Sequence, residues 1–147
     1  MYLLDTNIVL HATRQGSPVA AAVERQYGFS QLSIRPAVCQ VTIGELLAFA
    51  QSWGAPRRAM LRRMIGDFLV IPIGRESIYT RWAELYSHAR AHGLAIQHDH
   101  NDVWIAAVAH VAGLQLLSTD GAAFLPLRGT EWVDVVVLNP KIGIAVP

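Results

Sequence analysis

The chain has 147 residues, enough for one domain spanning 1–147, and 52% of them are apolar, ample for a continuous core. A net charge of +1 excludes a protein that holds nucleic acid by overall charge alone and leaves that work to local patches. A single cysteine, Cys39, excludes an internal disulfide and makes a reducing cytoplasm the natural setting.

Met1-Tyr2-Leu3-Leu4-Asp5 has no basic n-region and meets a charge at once, which argues against a signal peptide. Tyr2 to Leu4 reads as a strand that stops at Asp5-Thr6-Asn7, with Ile8, Val9, Leu10 and Ala12 continuing at helical spacing. A turn at Arg14-Gln15-Gly16-Ser17-Pro18 precedes a second helix, Val19 to about Tyr27. Pro36 to Val41 predicts a buried strand with Cys39 as a small core residue, followed by a helix that opens at Thr42 and ends near Trp53-Gly54. Pro56 to about Ile65 reads as another helix, Phe68 to Ile73 as a strand and Arg75 to His92 as a helix stopped by Gly93.

The polar run Gln97 to Asp102 leads into an apolar helix, Val103 to Ala112, closed by Gly113. The apolar stretch from Val103 to Leu117 contains His110 and Gln115 and falls short of the roughly 20 residues a bilayer requires, so no membrane association is expected. Leu114 to Leu117 is a strand, Ser118-Thr119-Asp120-Gly121 a turn, and Val133 to Leu138 a last strand. Strands alternating with helices imply a mostly parallel sheet of about four or five strands with helices on both faces, a three-layer α/β/α architecture.

Four acids, Asp5, Glu45, Asp102 and Asp120, each follow a strand or open a helix. In an open α/β sheet, residues just past the carboxyl ends of the strands converge in space, so these four are expected to share one acidic pocket. Each also has an ordinary role available. Asp5 can cap the first helix, Thr42 and Glu45 fit a capping box, Asn101 or Asp102 can cap the buried helix, and Asp120-Gly121 is a common turn pair. Carboxylates gathered in a small cavity repel one another, and a hard divalent cation such as Mg²⁺ or Mn²⁺ is the usual remedy. Thr6, Asn7, Asn101, Ser118 and Thr119 are neutral polar neighbours suited to orienting the acids and substrate by hydrogen bonds.

Other groups are weaker signals. Eleven of the twelve cationic residues are Arg, and Arg57, Arg58, Arg62 and Arg63 form either a solvated helix surface or a patch for phosphate or a partner. His98-Asp99-His100 invites a transition-metal reading, but no Cys-x-x-Cys or His-Glu-x-x-His supports it; a polar loop before the buried helix fits better, with Asp99 an auxiliary acid beside Asp102. Trp53, Trp82, Trp104 and Trp132 read as packing residues rather than base-stacking platforms.

Leu4-Asp5-Thr6-Asn7, Gly44-Glu45-Leu46-Leu47, Asn101-Asp102-Val103-Trp104-Ile105-Ala106-Ala107 and Ser118-Thr119-Asp120 resemble, in order, the motifs of PIN-domain ribonucleases. The resemblance is strongest to the VapC toxins of type II toxin–antitoxin systems and runs from residue 2 to about residue 138. It implies a PIN-like fold and a Mg²⁺- or Mn²⁺-dependent endoribonuclease, with Asp5, Glu45, Asp102 and Asp120 as metal-binding acids and Asn7 as a polar site residue. It also implies a homodimer and a cognate antitoxin encoded alongside. Asp5, Glu45 and Asp102 are expected to hold a first cation, with Asp120 tuning it or serving a second, since two cations can clamp both the attacking and leaving oxygens.

The last motif departs from the family's Thr-x-Asp-x-Asp-Phe: Ser118 replaces the Thr, Ala122 or Ala123 the second Asp, and Phe124 comes one residue late. Asp120 is therefore the least secure ligand. Two other functions compete. One is a Mg²⁺-dependent phosphatase or phospho-acceptor domain, although Asn7 occupies the place of the second Asp such phosphatases carry. The other is a PIN module that grips RNA or a partner without cutting.

Overall fold

Runs of three or four mostly apolar residues form the strands of this protein. The computed structural model describes residues 1–31 and 35–147, and places β1 at Tyr2–Leu4, β2 at Ala37–Cys39, β3 at Leu69–Ile71, β4 at Gln115–Ser118 and β5 at Val135–Val137. Every neighbouring pair is parallel, in the order β3-β2-β1-β4-β5. The chain thus builds outward from β1 to one edge, returns to the other side of β1, and builds outward again. The carboxyl ends of β1 and β4 flank the point of reversal, where open α/β sheets form their crevice.

Helices α1 (Thr6–Ala12), α2 (Pro18–Tyr27), α3 (Gln40–Ala50) and α4 (Ala55–Asp67) precede β3, and α5 (Glu76–Ala91), α6 (His100–Ala112) and α7 (Gly121–Phe124) follow it. Alternation along the strands decides which helices cover which face. Leu3, Ala37, Cys39, Leu116, Val135 and Val137 face a cluster formed with α5, α6 and α7. Leu4, Val38 and Leu117 face the opposite cluster, formed with α1 to α4. This is the three-layer α/β/α arrangement expected from the strand–helix alternation. Cys39 is a fully buried core residue, and burial above all pushes its thiol up to about 11.

Several boundaries differ from expectation, for local reasons. The strands expected over 36–41, 68–73 and 133–138 are each three residues long. α3 already begins at Gln40, and Pro72, which has no N–H to give a ladder, follows directly after β3. Because α3 starts early, its N-cap is Cys39 and Thr42 lies inside the first turn, so no Thr42–Glu45 capping box forms. Thr42 is fully buried and, among the described residues, its hydroxyl has no partner. α6 likewise starts at His100, with Asp99 as its N-cap accepting from the Asn101 N–H at 2.9 Å; neither Asn101 nor Asp102 caps it. Among the described residues no helix is long and apolar enough to cross a membrane.

Candidate active site at the switch point

Asp5 leaves β1 at the point of reversal, anchored by its own N–H donating to the Leu117 carbonyl of β4 at 3.0 Å. It caps α1, as its position suggested, and is only 2% exposed. One carboxylate oxygen, Oδ1, accepts from the Thr6 N–H at 2.6 Å; the other, Oδ2, accepts from Asn7 Nδ2 at 2.7 Å and Ser118 Oγ at 2.5 Å. Burial pushes this carboxyl up to about 6, and the charge of Glu45 adds to the rise, whereas the hydrogen bonds from Ser118, Thr6 and Asn7 oppose it. Capping and site membership are therefore compatible at this residue.

Ser118, the last residue of β4 and fully buried, is the hub on the other side of the crevice. Besides donating to Asp5, its hydroxyl oxygen accepts from Asn7 Nδ2 at 3.3 Å and from the Asp120 N–H at 2.9 Å. Asn7 Oδ1 accepts from the Thr119 N–H at 2.9 Å. Asn7 thus bridges α1 to the turn after β4, and Thr119 joins the network through its backbone. Asp120 caps α7, Oδ1 accepting from the Ala123 N–H at 3.0 Å, which leaves its Oδ2 as the oxygen not committed to the helix.

Glu45 reaches across instead of back to its own helix start. Oε2 accepts from the Thr6 hydroxyl, and Oε1 accepts from Asn101 Nδ2 at 2.8 Å. This carboxylate therefore ties α1 and α6 to α3. Asp102 stands in the first turn of α6, half-buried. Its carboxyl is pushed up to about 8, first by burial and then by the negative charges of Asp5, Asp99, Asp120 and Glu45. The other three acids singled out from the sequence, with Asp99, thus all act on Asp102.

They do not form a preset cage. Among the described residues, no three His, Cys, Asp or Glu side chains stand close enough to ligate one ion. The donor chemistry nevertheless fits a hard cation: every candidate ligand is an oxygen, and Mg²⁺ typically takes one or two carboxylates and keeps several waters. Asp102 supplies the other half of the fit, because an acid raised first by burial and then by the negative charges around it is one that a divalent cation would relieve.

The polar loop expected before the buried helix is instead a 3₁₀ turn and the first turn of α6. His98 ends a 3₁₀ turn, and His100 sets its ring edge-on to Trp82 and Tyr86 at centroid separations of 5.8 and 5.1 Å. Trp82 in turn stacks on Tyr86 and Trp104, so these indoles pack as expected.

The buried Asp5 and the half-buried Glu45, Asp102 and Asp120 lie with Ser118, Asn7 and Asn101 at the switch point of a parallel α/β/α sheet. The sequence matches the PIN domain family model over residues 2–125, and the chain belongs to the PIN domain family. Among solved structures it is similar to FitAcB from Neisseria gonorrhoeae, with 25% identity, a TM-score of 0.71, and 95% of this chain and 98% of that one covered. VapBC2 from Rickettsia felis, bound to a DNA fragment from its promoter, has 17% identity and a TM-score of 0.74 over 94% and 98% of the two chains. VapBC-5 from Mycobacterium tuberculosis, a member of the VapBC family of toxin–antitoxin systems, has 23% identity and a TM-score of 0.67 over 93% and 98%. No curated protein matches the sequence.

Proposed function

We propose that this protein is a Mg²⁺- or Mn²⁺-dependent endoribonuclease that acts as the toxin of a toxin–antitoxin pair, with a cognate antitoxin as partner and a homodimer as its assembly. The observation that carries the reading is Asp102, half-buried in the crevice and facing the charge of four other carboxylates. An arrangement so costly to the folded chain is explained by a cation that the acids hold together. Membership of the PIN family and the likeness to FitAcB support the same direction.

Asp5, Glu45 and Asp102 would hold the cation, with Asp120 at its margin. When bound, the ion supplies charge neutralisation and Lewis acidity to the scissile phosphate. The chain's own part is positional. Ser118 and Asn7 hold Asp5 Oδ2, and Thr6 and Asn101 each fix one oxygen of Glu45, so the acids are oriented before substrate arrives. Among the described residues Asp102 has no such hydrogen-bonded neighbour, and it is the member free to adjust. Because the Asp5 carboxylate is 2% exposed and bonded on both oxygens, it is poorly placed as a nucleophile, which disfavours the phosphatase alternative.

The test is cleavage of single-stranded RNA in Mg²⁺ and in Mn²⁺, with and without chelator. Wild type should cut only when the cation is present, and Asp5→Asn or Asp102→Asn should reduce cutting to background while far-UV circular dichroism stays native. Full activity in either variant, or in chelator, refutes the assignment. Hydrolysis of small phosphomonoesters without RNA cleavage would favour the phosphatase. Co-expression with the neighbouring open reading frame should give a co-purifying complex in which cleavage is suppressed.

A further inference from the structure

The acid crevice leaves the arginines of α4 without a role, and one of them is built into its surroundings. Arg57 lies over Trp53, its guanidinium carbon 3.6 Å from the ring centroid, while Nε and Nη2 donate to Thr13 Oγ1 at 3.2 and 3.0 Å. Thr13 is buried, its hydroxyl fixed by donating to the Leu10 carbonyl at 2.8 Å. Those contacts use two of the five N–H groups of a guanidinium and hold the rest in one plane.

Beside this fork opens a recess of about 440 Å³ lined by Thr13, Arg14, Gln15, Pro56, Arg57 and Met60. Two guanidinium groups line it and no carboxylate does. Partial burial, and then the charge of Arg14, push the Arg57 pKa down, a cost that an anion between them would reverse. Among the described residues the one ion pair joins Arg81 to Glu84, so Arg14, Arg57, Arg58, Arg62 and Arg63 have no carboxylate partner there. The residues outside that set, Leu32, Ser33 and Ile34, carry no charge. One acidic side chain would satisfy the recess alone; unpaired cations running from the end of α1 along α4 suit a polyanion.

We propose that this recess is a backbone-phosphate subsite for the RNA strand, with Arg57 and Arg14 gripping a phosphate away from the scissile bond. The inference rests on the ribonuclease reading above. α1 joins the two places, since Asp5 caps its start and Thr13 its end, about 12 Å apart along the axis at the rise of a helix. A strand seated in the recess is thereby held at a fixed offset from the acids.

Fluorescence anisotropy of a labelled single-stranded RNA oligonucleotide, measured in chelator across a salt series, tests this with Arg57→Gln and Arg14→Ala. The first variant keeps a stem over Trp53, and the second removes an exposed side chain, so both should retain native circular dichroism. Each should bind about tenfold more weakly, with a salt dependence shallower by about 0.7, the loss of one single-strand phosphate contact. Cleavage of a dinucleotide too short to reach the recess should proceed at the wild-type rate. Unchanged affinity and slope in both variants overturn the subsite while the nuclease reading stands. A change confined to oligomeric state or to capture of a co-expressed protein also overturns it and makes the recess a protein contact. Wild type that neither binds nor cuts RNA removes the ribonuclease reading, and the subsite falls with it.

Discussion

At the scale of single residues, Ser118 is the side chain on which the crevice most depends. It gives the buried Asp5 a hydrogen bond and also accepts from Asn7 and the Asp120 backbone. Ser118→Ala leaves Asp5 Oδ2 with one donor fewer and removes the acceptor those groups share. The cost should be about 1–3 kcal/mol, read as a lowered midpoint in urea denaturation. Full stability in that variant would mean that water replaces the hydroxyl without loss. The sequence marks Ser118 only as a departure from the usual Thr of its motif. That its β-hydroxyl reaches the first strand, 113 residues away, depends on the pairing of β1 with β4.

Among elements, α6 separates a capping acid from a site acid. Asp99, Asn101 and Asp102 lie within four residues of sequence that look equivalent on paper, yet the helix starts at His100 and assigns each a different direction. Asp99 turns to its own backbone, Asn101 to Glu45, and Asp102 to the crevice. Asp99→Ala should therefore cost about 1 kcal/mol of stability, the usual value of a helix cap, while RNA cleavage survives. Abolished cleavage at unchanged stability would instead place Asp99 among the working acids. The same one-turn shift explains Glu45. With α3 starting at Gln40, its carboxylate projects toward α1 and α6, where the capping-box pattern had sent it home.

For the whole molecule, the acids make stability depend on pH in a defined direction. The carboxyls of Asp5 and Asp102 rise from 3.8 to about 6 and about 8 on folding, so the folded state holds protons that the unfolded chain has released. Their contribution is fully present below the unfolded value of 3.8 and is lost as pH rises through about 6 and then about 8. The thermal midpoint of the cation-free protein should fall over that window, and Asp102→Asn should remove the upper part of the fall. Adding Mg²⁺ or Mn²⁺ should flatten it, because the cation stabilises the ionised acids. A midpoint that climbs with pH in chelator would contradict the assigned shifts.

The order of strands and helices, the acids at their junctions and the polar residues beside them were legible in the sequence, because periodicity and turn chemistry are local properties. Tyr2–Leu4 and Pro18–Tyr27 show this most plainly, since apolar spacing and a proline or cap residue bound both elements. What the sequence could not decide was direction: whether Glu45 serves its own helix or another, which of three neighbours caps α6, and that Arg57 and Arg14, 43 residues apart, line one recess. Those outcomes depend on where β1 lies between β2 and β4 and on how α1 packs against α3 and meets α4 through the Arg57–Thr13 contact, long-range arrangements fixed by burying both faces of the sheet at once.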